Sequence, residues 1–293
     1  MSTPIQTAPT QTHRPKRAAR WVLLSILLIA VIALLAYRQF LGAPSPSNPF
    51  EPSEMVAAKY GTRDAVGDLG GVPVTIPRHF ANYVEYEGDP SWGEKRQGPK
   101  PERTHQSKLV SFGYHTRFPD MAGESNPESM KDKRSYSPAN TPWISVGLNT
   151  GQDYPGDGFL DRWTHATVET PNVILKYENY EQLPTSEHGL TVYAAAGIDP
   201  KTNKPYREHT DAKDVFVSRD KSGRVNATIR CSNRHVPAPP CTHDFSLEPD
   251  MHAKVYLSYR RSQLPQWREI QAAVKQQILG FKAPQTTDAP VKP

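Results

Sequence analysis

"DVFVSRDKSGRVNATIRCS", residues 214 to 232, decides the fold. Two runs with alternating apolar residues flank Asp220 to Gly223, a stretch of turn-forming composition, so the segment reads as an antiparallel β-hairpin. Downstream, "THDFSLE" (242–248) and "HAKVYLSYRR" (252–261) read as two further strands, which makes the C-terminal third a meander. Upstream, "KLVSFGYHTRF" (108–118) sets Val110, Phe112, Tyr114, Thr116 and Phe118 on one face of a strand. "TPWISVGLN" (141–149), "NVILKY" (172–177) and "LTVYAAA" (190–196) supply three more candidates. Proline is abundant, at 29 residues, and long helical patterns are scarce, so strands and loops should dominate.

One helix is expected at the C-terminus. Ser262 is placed to cap it and Pro265 suits its first turn; Trp267, Ile270, Val274 and Ile278 then recur at spacings of three and four, and Gly280 stops it. That stripe fits packing on the sheet. The alternative, a partner-binding or membrane-surface helix, calls for a more charged polar face than this glutamine-rich one. The fold class is therefore α+β: mostly antiparallel β-sheet with a C-terminal amphipathic helix, preceded by one N-terminal transmembrane helix.

The transmembrane expectation rests on "WVLLSILLIAVIALLAY" (21–37), which carries no charge, follows Arg14, Lys16, Arg17 and Arg20, and precedes Arg38. At about 1.5 Å per residue the run is near the lower limit for a bilayer span, with Trp21 and Tyr37 at the two interfaces. A cleaved signal peptide is the competing reading, but the run exceeds the usual apolar core, and Leu41 stands where a cleavage site needs a small residue. Positive charge before the span keeps residues 1–20 cytoplasmic and sends the rest outward, which in a bacterium is the periplasm. The expected organisation is a basic segment 1–20, an anchor 21–40, a Pro/Ser-rich spacer 41–54, a β-rich periplasmic domain 55–282, as one body or as two lobes meeting near residue 184, and a disordered tail 283–293. Five of the 35 Lys and Arg precede residue 41 with no acid among them, leaving 30 basic against 30 acidic residues in the exported part. The basic pI thus belongs to the anchor and gives no argument for nucleic acid as a partner.

Both cysteines, Cys231 and Cys241, lie in this exported part, at the end of one strand and the start of the next, joined by a loop stiffened by Pro237, Pro239 and Pro240. In an oxidising compartment a disulfide is the default. The rival is zinc, since Cys231, His235, Cys241 and His243 are eligible ligands, although structural zinc spacings are usually tighter. A redox pair would want C-x-x-C. "DYPGDGFLD" (153–161) places Asp153, Asp157 and Asp161 around Gly158 like part of a calcium loop, yet Pro155 occupies a ligand position and Thr164 stands where a closing Glu belongs. No nucleophile elbow, zinc-protease, P-loop or dinucleotide motif occurs, and the ten histidines are scattered. The expectation is a protein that is not an enzyme and needs no cofactor or metal.

"GGVPVTIPRHFANYVEYEGDP" (70–90), "LVSFGYHTRFPDM" (109–121), "TIRCSNRHVPAPPCTHDFSL" (228–247) and "AKVYLSYRRSQLPQWREIQAAVKQQILGF" (253–281) together resemble bacterial membrane-anchored immunity proteins encoded beside type VI secretion phospholipase effectors. The resemblance covers most of residues 70 to 281 and is carried best by the cysteine pair, the His-x-Phe after it and the Leu-Pro-x-Trp helix start. It implies a periplasm-facing protein at the inner membrane that binds and inhibits a cognate phospholipase effector by occluding its active site. An envelope scaffold and a periplasmic hydrolase are the alternatives. Contacts should come from loops held rigid by strands. Two stretches offer polar groups beside aromatic or proline contacts: Tyr154 to Trp163, with Tyr154, Asp157, Phe159, Asp161 and Trp163, and Arg234 to Pro240, with Arg234 and His235.

Overall fold

The structure, a computed structural model, describes residues 52–91 and 93–284. The expected anchor, the basic segment before it and most of the spacer and tail lie outside the described residues. Among the described residues no helix is long and apolar enough to cross a membrane.

The described residues form thirteen strands: β1 (Ala65–Leu69), β2 (Val72–Ile76), β3 (Asn82–Tyr86), β4 (Leu109–Arg117), β5 (Trp143–Asn149), β6 (Tyr180–Gln182), β7 (Thr191–Ala195), β8 (Ile198–Asp199), β9 (Lys204–Pro205), β10 (Lys213–Arg219), β11 (Val225–Ser232), β12 (Pro240–Ser246) and β13 (Lys254–Arg260). The β10–β11 hairpin closes as expected. Asp220 Oδ1 accepts from the N–H groups of Ser222 (2.8 Å) and Arg224 (3.1 Å), and the Gly223 N–H donates to the Asp220 carbonyl. β12 and β13 follow as a meander, and the chain then does something local pattern does not show. β13 pairs on its free edge with β5, so nine antiparallel strands run in the order β3-β4-β5-β13-β12-β11-β10-β7-β6. Strands from both sides of residue 184 share this one sheet.

One face of the sheet is covered by the C-terminal helix. Phe112 and Tyr114 of β4, Val146 and Leu148 of β5, Phe216, Ile229, Phe245 and Leu257 meet Trp267, Ile270, Val274 and Ile278 in a single core, so the predicted stripe packs as expected. The helix begins differently. Arg261–Gln266 form a 3-10 turn, and the α-helix that follows, Trp267–Leu279, has Gln266 at its N-cap without a side-chain cap, so Ser262 does not cap it. Pro265 lies inside the 3-10 turn, two residues before the α-helix rather than in its first turn. After the helix the chain joins β2, the Thr75 N–H donating to the Phe281 carbonyl and the Ala283 N–H to Pro73. Val110 is buried but lies outside that core, lining a cleft beside Tyr154.

Cys231 and Cys241 are disulfide-bonded, directly opposite each other on β11 and β12. The pairing removes the zinc reading. His243, the fourth candidate ligand, is fully buried: its Nε2 meets Gln271 Oε1 at 2.9 Å and its Nδ1 meets the Tyr259 hydroxyl at 3.1 Å. Closing the loop between the cysteines restricts the unfolded chain. Replacing both by alanine is expected to lower the unfolding free energy by about 3 kcal/mol, read from urea titration without reductant.

Burial pushes the His243 pKa down to about 4. The unfolded chain, with an ordinary histidine, binds more protons than the folded one between that value and about 6.5, so stability is complete above the upper limit and falls as pH drops through the window. Roughly 3 kcal/mol should be lost on this account by pH 4. His115, also pushed down to about 4 by burial and by Lys133, acts in the same direction. Urea midpoints between pH 7.5 and 4.5 are expected to begin falling near pH 6.5, above the range in which carboxylates titrate.

Candidate functional site

Alternation along β10 sends Phe216 toward the C-terminal helix and Val215 and Val217 to the opposite face. There they meet Phe159, Leu160 and Val168 in a second, smaller core, edged by Tyr154, Trp163, Tyr180 and Tyr193. The 154–163 stretch, expected as a contact loop, is thus partly a buried helix. With α1 (Pro52–Tyr60) and α2 (Pro127–Ser135) preceding it, α3 (Phe159–Thr164) starts after Gly158, whose φ of 72° favours a residue without a side chain, and passes into a π-helical turn, His165–Glu169. Phe159 is 6% exposed and faces the core.

Charged and aromatic contacts fasten this helix to the sheet. Asp161 Oδ1 accepts from the Val225 N–H at 2.9 Å, at the first residue of β11. Trp163 lies against the Arg230 guanidinium at 5.1 Å, Arg230 reaches Asp244 at 3.3 Å, and Lys254, 3.1 Å from Asp244, lies 5.7 Å from the Phe159 ring centre. Asp157 pairs with Arg224 at 2.7 Å, and that hydrogen bond holds its carboxyl below the ordinary aspartate range. Arg162 donates to the carbonyls of Pro155 and Asp157, tying the loop to the helix. The Tyr154 hydroxyl donates to Glu248 Oε1 at 2.8 Å; burial first, then that carboxylate, raises its pKa to about 12. Two carboxylates of the calcium-like stretch therefore face arginine and a backbone N–H. Among the described residues no three or more His, Cys, Asp or Glu converge as a metal site.

Arg234 and His235 sit elsewhere. Arg234 donates to the Thr210 carbonyl at 2.9 Å and pairs with Asp211 at 2.5 Å, and exposed His235 follows on the loop whose base the disulfide closes. Asp161 contacts the start of β11 and Arg234 follows its end. Seven strand steps at about 3.4 Å put roughly 24 Å between those two points on β11, while Trp163, lying on Arg230, is nearer to Arg234. Beside Arg234 a cleft of about 300 Å³ opens over Asp214, Arg207 and Arg261. Burial alone would raise the Asp214 carboxyl; hydrogen bonds from Arg207, Arg261 and Asn233 outweigh it and hold the pKa below the ordinary value.

The most exposed large aliphatic side chains among the described residues lie just after the π turn. "NVILKY", expected as a strand, is an irregular loop leading into a 3-10 turn at Lys176–Glu178. The Asn172 Oδ1 accepts from the N–H groups of Ile174 (3.0 Å) and Leu175 (2.9 Å), while Asn172 and Asn179 exchange two hydrogen bonds, 2.7 and 3.0 Å, between backbone and side chain. Tyr177 stacks on His209, ring centres 4.2 Å apart. Val173 and Ile174 project from this closed loop, 77% and 82% exposed. Pro171 and Asn172 before an unalternating apolar run were the available signal, because asparagine turns the chain by bonding the backbone two residues on.

No family model matches the sequence, and no curated protein matches it. Among solved structures the chain is similar to an immunity protein of the Stenotrophomonas maltophilia type IV secretion system, at 18% identity and a TM-score of 0.47, over 75% of this chain and 94% of that one. Likeness at that level assigns neither fold nor function to this chain.

The contrast between the two acids of the 154–163 stretch is testable. Asp161→Ala leaves the Val225 N–H without its acceptor and should cost about 1 kcal/mol in urea unfolding. Asp157→Ala breaks the pair with Arg224 and a local bond from the Gly158 N–H, both in open solvent, and should shift the unfolding free energy by less than about 0.5 kcal/mol.

Proposed function

We propose that this protein is an immunity protein, held at the inner membrane by its N-terminal segment and facing the periplasm, which binds a phospholipase effector and inhibits it by occlusion. The sequence resemblance supplies the class of partner. The observation that supports a binding role is the closed loop 171–179, which presents Val173 and Ile174 almost fully to solvent from a rigid base. Exposed aliphatic side chains on a loop already ordered can be buried in a partner without an ordering cost at that moment. Occupancy alone would protect, so the proposal asks no chemistry of the chain.

The test is co-expression with the lipase encoded beside the gene, directed to the periplasm. The full-length chain should restore growth and co-purify with the lipase in one-to-one ratio. A version lacking residues 1–40, exported by a cleavable signal, should still protect at high expression. Lipase activity undiminished by excess purified protein, together with no binding, would leave the envelope scaffold as the better reading.

A further inference from the structure

We infer that the Val173–Ile174 tip is the part of the molecule that enters the partner, and that it enters an apolar cleft bordered by cationic side chains; this rests on the immunity reading above. The tip is built rather than incidental. Five hydrogen bonds among Asn172, Asn179, Glu178 and the N–H groups of Ile174 and Leu175 fix its shape, and stacking of Tyr177 on His209 fixes its base. A third exposed aliphatic, Ile198, 61% exposed, lies close to that base. Ala196 donates to the Asn179 carbonyl at 2.8 Å, and two residues further on the chain can be no more than about 7 Å away. A notch of about 370 Å³ opens between the π turn and the loop, lined by the small side chains of Ala166, Thr167, Thr170 and Pro171 together with Val173, Ile174 and Glu178 of the loop itself, and it leaves room for a side chain of the partner.

Charge decides between a protein and a lipid surface. From His165 to Gln182 the chain carries Glu169, Glu178 and Glu181 against Lys176 alone, and His165 is paired with Glu169. Peripheral segments that enter anionic membranes place Lys and Arg around their apolar residues, and this one places acids there. An aliphatic tip on a segment with three acids and one lysine matches a protein cleft with an apolar interior and a basic rim. An acyl-chain-binding cleft meets the first condition, so the inhibited site and the docking site would coincide.

The experiment uses the full-length chain in detergent and the lipase encoded beside its gene. Val173→Ser with Ile174→Ser should weaken binding by about 100-fold or more, two central aliphatic contacts being lost, while Val173→Ile with Ile174→Val should stay within about threefold of wild type. Glu169→Lys with Glu181→Lys should slow association by about tenfold at low salt, and the difference should shrink as salt is added. Bimane on Ile174→Cys should shift to the blue when the lipase is added, both in detergent and in phosphatidylglycerol vesicles. A blue-shifted emission before the lipase is added would overturn the inference, because lipid or another part of the chain would already cover the tip. Full-strength binding by the serine variant, folded by circular dichroism, would overturn it as well and leave the immunity reading intact. No binding by the wild-type chain would remove both.

Discussion

Between Lys213 and Arg219 the chain sends Phe216 toward the C-terminal helix and Val215 and Val217 to the opposite face, all fully or nearly fully buried. Leaving either set in water would forgo roughly 1.5 to 3 kcal/mol for each large side chain. A strand apolar on both sides needs a layer on both sides, and the thirteen-residue helix Trp267–Leu279 supplies only one. The other comes from α3, a helix too short to persist by itself. Its place is fixed by Asp161 at the Val225 N–H, by Trp163 on Arg230 and by Phe159 beneath Lys254. The π turn and the loop that presents Val173 and Ile174 continue directly from that helix, so their position follows from the burial of β10.

Buried charge stiffens the same frame at two other points. Asp214, 1% exposed, holds Arg207 and Arg261 together with Asn233, and so joins β10, the turn after β9 and the start of the C-terminal 3-10 turn. Glu124, 2% exposed, binds Lys59 of α1 and Lys133 of α2, while α2 is held by Asp132 to Arg117 and to the Trp143 indole. Each carboxylate is balanced by two cations, which keeps it ionised against its burial. Such networks contribute little net stability compared with apolar packing, but losing one partner leaves a buried charge unmatched. They fix loop positions, and the loop over Asp214 is the one that carries Arg234.

What the sequence disclosed follows the range of the interactions involved. The β10–β11 hairpin, the helical stripe at Trp267, Ile270, Val274 and Ile278, and the cysteine pair depend on neighbours within about a dozen residues, and each formed as read. The pairing of β13 with β5 joins residues more than a hundred apart, and nothing in either strand names its partner. The 154–163 stretch reads as a contact loop from its polar groups beside aromatic and proline residues, whereas Val215 and Val217, which bury Phe159, are far along the chain. "NVILKY" misled for a different reason. Its composition suits a strand, but Asn172 turns the backbone at the first residue and Asn179 locks the turn, an arrangement that depends on two side chains rather than on apolar period. A strand lost to side-chain competition in this way leaves its apolar residues outside.

That outcome has an energetic consequence for binding. Val173 and Ile174 are nearly as exposed in the folded chain as in the unfolded one, so folding neither gains nor loses much from them. Their burial free energy, roughly 1.5 to 3 kcal/mol each, stays available for association. Because the loop is ordered before any partner arrives, little of it is offset by backbone entropy, and two such residues could account for a factor on the order of 100 to 10,000 in affinity. Substitutions within the tip should then separate binding from stability, whereas Phe159 and Trp163, which share the helix leading to it, couple the two: their loss would loosen α3 on β10 and β11 and blur the tip's position along with the fold. The proposed contact surface and its support are adjacent in sequence but distinct in energy, and the boundary between them falls at Pro171.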